Sequence, residues 1–171
     1  MYTIQDLLDA RELRVEFINE LIDRYDNTVI SLRVNYPGLE KDNAITRKII
    51  EIIGVLVTNF FSGKINYSMM SYTAEGPIMF CVINEKVEKV KSFAIDIEER
   101  HTLGRCIDLD VYDTKGKSIS RVSLGMKSRK CFICDKFAHE CVRNRTHSYE
   151  EIAKFIADRY NDYLENMYDR A

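Results

Sequence analysis

Two aspartates, Asp108 and Asp110, stand one residue apart near the middle of a 171-residue chain. Side chains alternate faces along an extended strand, so the pair projects one way while Ile107, Leu109 and Val111 project the other. Two carboxylates held that close repel each other. A shared hard cation such as Mg²⁺ relieves the repulsion and keeps coordination sites free for substrate phosphates. The plainer reading of the same letters is an edge strand with its polar face in water.

The neighbours favour chemistry. Phe93 to Glu98 alternates apolar and acidic residues and predicts a further strand; laid beside the Asp108 strand, it would supply Glu98 as a third carboxylate for the metal. His101 is close enough in sequence to serve as a base, a structural histidine being the equal alternative. Asp113-Thr114-Lys115-Gly116 reads as a hairpin turn whose returning strand brings Ser120 and Arg121 back alongside the aspartates. Arg105 and Arg121 are then guanidinium forks suited to phosphate oxygens. Upstream, Lys41, with Thr46 and Arg47 one turn into a helix, lies at a helix N-terminus, where free backbone N–H groups favour an anion.

A net charge of -2 conceals an asymmetry. Between Lys115 and His147 nine Lys or Arg face two acids, a local charge of +7, and the rest of the chain is acidic. The same segment carries Cys131-x-x-Cys134, Cys141 and His147, ligand types that suit tetrahedral zinc. Helical spacing argues the other way: Cys131, Cys134, Ala138 and Cys141 make one stripe, and on a continuous helix Cys131 and Cys141 would be roughly 15 Å apart. Structural thiols packed as small hydrophobes are therefore the preferred reading over zinc.

The elements that must position these groups read as follows. Thr3 to Tyr25 carries a helical apolar stripe with Thr3 and Asp6 as a capping pair. Thr28 to Tyr36, Ile65 to Tyr72 and Ile78 to Ile83 read as strands, Ile45 to Phe60 as a helix, and Asn84 to Val90 as a short helix. Ser148-x-x-Glu151 opens the last helix with a capping box. Together they predict one α+β domain over residues 1–171, a mainly antiparallel or mixed sheet of about five to six strands packed with about four helices; a nucleotidyltransferase-like arrangement stays open. No apolar run approaches a membrane span and the N-terminus has no signal-peptide pattern, which predicts a cytoplasmic protein with reduced cysteines and no membrane partner.

Taken in order, Arg11-Glu12-x-Arg14, Pro37, Lys41, Thr46-Arg47, Gly76-Pro77, Glu98, His101, Leu103-Gly104-Arg105, Asp108-x-Asp110-Val111, Ser120-Arg121, Arg129-x-Cys131-x-x-Cys134, Ala138, Cys141 and His147 resemble the apo-citrate lyase phosphoribosyl-dephospho-CoA transferases, also called citrate lyase holo-acyl-carrier-protein synthases. The resemblance covers most of the chain. It implies a nucleotidyltransferase that takes 2'-(5''-triphosphoribosyl)-3'-dephospho-CoA, joins its phosphoribosyl-dephospho-CoA moiety to a serine of the acyl carrier (gamma) subunit of citrate lyase, and releases pyrophosphate. On that view Asp108 and Asp110 hold Mg²⁺ and help activate the serine, while Lys41, Arg47, Arg105, Arg121 and Arg129 grip phosphates. The Gly-Ser signature that precedes the carboxylates in many nucleotidyltransferases is missing.

Three other readings use the same residues. The malonate decarboxylase transferase performs the same reaction, but the Cys131 to His147 run favours the citrate lyase type. A metal-dependent nuclease or nucleic-acid-binding module would use the basic segment for a polyphosphate backbone, yet only Phe132 and Phe137 interleave it and the chain as a whole is acidic, so no nucleic acid partner is expected. A non-catalytic subunit would only dock an acidic carrier.

Overall fold

The computed structural model describes residues 2–168, the side chain of Tyr168 excepted. Helix α1 (Ile4–Tyr25) starts at Thr3, whose side chain caps the Asp6 N–H while Asp6 caps the Thr3 N–H in return. It ends where Asp26 turns left-handed at φ 46°. Strand β1 (Thr28–Val34) follows, then α2 (Ala44–Phe60), opened by a reciprocal cap between Asn43 and Thr46. Strands β2 (Ile65–Thr73) and β3 (Gly76–Ile83) form a hairpin. At its corner Gly76 has φ +87° and lies against the Lys41 backbone, where an added Cβ would come within 2.7 Å of the carbonyl oxygen. The chain then makes α3 (Val87–Arg100), a 3-10 turn at Gly104–Cys106, β4 (Ile107–Tyr112), α4 (Ala138–Asn144) and α5 (Tyr149–Tyr168).

The four strands make one antiparallel sheet in the order β2-β3-β1-β4. One face, with Ile30, Leu32, Leu109 and Val111, is buried under α2, α3 and α5 around Ile49, Ile53, Ala94 and Ile156. The other face, with Val29, Ile78, Phe80 and Val82, is covered by α1 through Ile18, Leu21 and Ile22. Strand β3 is buried along its whole length, as its unbroken apolar run requires of a central strand.

The α+β class and the antiparallel sheet match the sequence-based expectation, with four strands instead of five to six and five α-helices among the described residues. One expected strand, Phe93 to Glu98, is part of α3. Its buried residues are Val90, Lys91, Ala94, Ile95 and Glu98, a helical spacing that becomes visible only over a longer window than the six alternating residues. The return after the Asp113–Gly116 turn is the other. The turn forms, with the Gly116 N–H bonded to the Asp113 carbonyl, but pairing stops after one bridge between Tyr112 and Ser118 and the Ile119 N–H bond to Val111. Lys115, Lys117 and Ser118 offer no apolar face to hold a strand against the sheet.

Candidate active site on the α1 face of the sheet

Strand alternation does to Asp108 and Asp110 what the spacing predicts: both leave β4 on the α1 face. Across the ladder, Arg33 pairs with Asp108 and Ser31 with Asp110. The Arg33 guanidinium fills the gap between the acids, its Nη2 donating to Asp108 Oδ2 at 2.9 Å and to Asp110 Oδ2 at 3.1 Å. Its Nη1 donates to Glu75 Oε1 at 3.1 Å. Glu75, buried at the corner of the β2–β3 hairpin, also accepts from Arg14 Nε at 2.7 Å and faces Arg11 at 3.7 Å. A cleft of about 320 Å³ between α1 and the hairpin strands opens beside Arg14 and Ile78.

Burial opposes charge on Arg33, yet Asp108, Asp110 and Glu75 together outweigh it and hold the guanidinium above its ordinary pKa. The Asp110 pKa is raised as well: burial first, then the neighbouring Asp108, outweigh Arg33. The Ser31 hydroxyl beside the pair is fully buried without a partner, as is Arg33 Nε. Two neighbouring carboxylates and an orphaned hydroxyl make a donor set that suits a hard divalent cation.

The outer edge of β4 is closed by side chains. Glu98 Oε1 accepts from the Leu109 N–H at 3.2 Å, Lys91 Nζ donates to the Leu109 carbonyl at 3.2 Å, and Arg129 Nη2 donates to the Ile107 carbonyl at 2.9 Å. Arg121 Nη2 donates to Glu98 Oε2 at 2.6 Å. Gly104 makes this edge possible, because a Cβ there would collide with the Ile97 carbonyl at the end of α3.

Of the residues singled out in the sequence, Asp108, Asp110 and Arg129 come together, with Arg129 Nη1 3.8 Å from Asp108 Oδ1. Glu98 stops short of the pair: Arg129 stands between, also 3.8 Å from Glu98 Oε1, and the carboxylate is already engaged by Arg121 and the Leu109 N–H. Lys41 donates to the Tyr36 carbonyl; burial and the nearby Arg11 and Arg33 lower its pKa, which places it beside the arginine cluster. Arg47 is turned to solvent, paired with Asp42 at 2.6 Å and lying over the Tyr72 ring. Arg105 donates to the Lys130 carbonyl, and burial with Arg129 and Arg121 nearby lowers its pKa. His101 lies elsewhere: its Nδ1 accepts from the Leu103 N–H and its ring faces Tyr163 of α5, on the opposite layer from the aspartates. Burial depresses its pKa.

Arg33, Glu75 and Ser31 were missed by sequence reasoning. For Arg33 the signal was present, since a cation inside an apolar strand is buried only with a partner, and its face was that of Ser31. Glu75 gave none, being one acid in a turn.

The cysteine-rich segment departs most from expectation. Residues 131–137 form a turn, with Lys130 bridged to Phe137 and the Cys131 N–H bonded to the Lys136 carbonyl, and the helix begins only at Ala138. The continuous helical stripe is thus overturned. Cys131 Sγ lies 3.3 Å from His147 Nε2, Cys134 Sγ 3.5 Å from Cys141 Sγ, and the four ligand atoms all fall within 4.8 Å of one another. Burial works against ionisation of Cys131, but the N–H groups of Ile133 and Cys134 and the neighbouring thiols bring its pKa down to about 7. Burial and the other thiols push Cys141 up to about 11.

Comparison with known proteins decides the family. A family model described as apo-citrate lyase phosphoribosyl-dephospho-CoA transferase matches residues 2–163. The chain belongs to this family. It is 31% identical over 166 residues to a probable transferase of that name from Vibrio cholerae serotype O1, covering 94% of this chain and 93% of the relative. It is 30% identical to the transferase of Citrobacter koseri, over 88% of this chain and 84% of that one. It is also 32% identical to the protein CitXG of Leuconostoc mesenteroides subsp. cremoris, where 90% of this chain matches 34% of a longer protein. A family match of this extent displaces the nuclease and nucleic-acid-binding readings. Among the described residues no helix is long and apolar enough to cross a membrane.

Proposed function

We propose that this protein transfers the phosphoribosyl-dephospho-CoA moiety of 2'-(5''-triphosphoribosyl)-3'-dephospho-CoA to a serine hydroxyl of the acyl carrier (gamma) subunit of citrate lyase. The observation that carries the reading is the Asp108–Asp110 pair, set on one face of β4 in a cluster of arginines, in a chain whose family is named for this transfer. The serine oxygen attacks the α-phosphorus, the bond to the departing pyrophosphate breaks, and the serine proton passes to the aspartate pair. Asp108 and Asp110 would hold a magnesium ion, which when bound neutralises charge on the attacking and leaving oxygens. Arg129 approaches Asp108 from the edge of the sheet and is the guanidinium best placed to grip a phosphate there. Arg33 orients both carboxylates and is itself fixed by Glu75. Exposed Lys127, Lys130, Lys136, Arg143 and Arg145 give the basic segment a surface suited to an acidic carrier.

The test is to combine the protein, apo-carrier, the triphosphoribosyl precursor and Mg²⁺ and to weigh the carrier by mass spectrometry. The expected result is a mass gain equal to the transferred moiety, with pyrophosphate released, both dependent on Mg²⁺. An unchanged carrier mass would overturn the proposal.

A further inference from the structure

We propose that Cys131, Cys134, Cys141 and His147 hold a structural zinc ion, which replaces a hydrophobic core for the arm that carries Arg129 to the edge of β4. The geometry supports it first. In a tetrahedral site with Zn–S near 2.3 Å and Zn–N near 2.0 Å, neighbouring ligand atoms are about 3.5–3.8 Å apart. Here two neighbouring pairs are separated by 3.3 and 3.5 Å and no pair by more than 4.8 Å. The ligands come from three places: a Cys-x-x-Cys turn, the middle of α4 and the residue before the cap of α5. The Ile133 N–H points at Cys131 Sγ from 3.4 Å, stabilising a thiolate as the outer hydrogen bonds of metal thiolates do.

The second support is what the arm lacks. Between Arg121 and Ser148 the only buried residue is Cys141, and Phe137 and Val142 face solvent. Phe132 stacks on Phe155 of α5, but apart from that contact the arm removes little apolar area from water to offset the entropy of fixing its backbone. A metal supplies that stabilisation in small modules without a core. Three thiolates, a neutral imidazole and Zn²⁺ carry about one net negative charge, and the Arg105 guanidinium, bonded to the Lys130 carbonyl next to Cys131, is a cation placed to offset it. The ion would thus pin the turn from which Arg129 reaches the Gly104 and Ile107 carbonyls. This inference does not depend on the identity of the transferred group.

The protein should be purified under reducing conditions without chelator and its metal measured by mass spectrometry. Roughly one zinc per chain is expected. Replacement by Co²⁺ should give the thiolate charge-transfer and visible absorption bands of tetrahedral cobalt, weakened by Cys134→Ser. Amide hydrogen exchange should speed up at least tenfold in residues 126–147 when zinc is chelated, with the amides of β1 and β3 unchanged. Chains without zinc and without a tetrahedral cobalt spectrum would overturn the site, as would a Cys134–Cys141 disulfide in the reduced preparation. Exchange in the arm that ignores chelation would overturn its role as a core. The metal and cobalt measurements use the unmutated chain, so they decide the question even if the serine variant fails to fold.

Discussion

The sheet and the arm bring charged groups to the same place by opposite means. Arg33, Asp108 and Asp110 rest on strands whose other face is fully packed, Glu75 sits at the corner of the β2–β3 hairpin, and β3 alone buries eight residues in succession. The arm from Arg121 to Ser148 buries only Cys141, yet it delivers Arg129 within 3.8 Å of Asp108. In the sheet, apolar packing makes it tolerable to crowd four ionised groups. In the arm, apolar packing is limited chiefly to Phe132 stacked on Phe155, and the Cys131–His147 cluster proposed to hold zinc would supply the rest. Substitutions should therefore act differently in the two regions.

The largest effect is expected at Asp110. Asp110→Asn should slow carrier modification by about 10²–10⁴-fold, measured by carrier mass against time, while the chain stays folded. Asp110 binds its proton more tightly in the folded chain than in the unfolded one. Stability should therefore fall as pH rises from the ordinary aspartate value of 3.8 through the raised folded pKa. The Asn variant should flatten that fall and match or exceed the parent in melting temperature at neutral pH. A parent whose stability climbs with pH where the variant's does not would contradict the charge balance described for the pair.

Next comes Arg33. Arg33→Ala leaves Glu75, Asp108 and Asp110 without their shared cation and should cost about 3–5 kcal/mol in urea denaturation. Gly104→Ala should cost about 1–3 kcal/mol through the clash with the end of α3, and should loosen exchange of the Leu109 amide more than that of β3. Removing the α2 cap with Asn43→Ala should cost about 1 kcal/mol. In the arm, Val142 is 79% exposed, and Val142→Ser should change global stability by no more than about 0.5 kcal/mol. A large loss there would mean that the arm packs apolar surface after all, and the contrast would collapse.

How much of this was legible depended on the length over which a pattern holds. Asp108 and Asp110 were placed correctly because a two-residue repeat needs only the local strand. Phe93 to Glu98 satisfied that repeat by coincidence, and its helical membership emerged only from Val90 through Glu98. The cysteines misled in the reverse direction: their spacing fitted a helix, but the chain from 131 to 137 turns back on itself through bonds to Lys136 and Phe137 that no periodicity encodes. Arg33 and Glu75 meet across 42 positions of sequence. The pairing that joins them is a property of strand order, which one sequence does not reveal. The family resemblance read from ordered motifs was confirmed by the match over residues 2–163.

Strand β4 lies at the margin of the sheet, where exposed main-chain groups would ordinarily recruit another chain. Lys91, Glu98 and Arg129 have already claimed them. A protein partner visiting the aspartates thus has no free ladder to extend. It must be recognised by the shape and charge of its surface, as a folded carrier protein would be, and an unfolded peptide seeking β-augmentation would find this border shut.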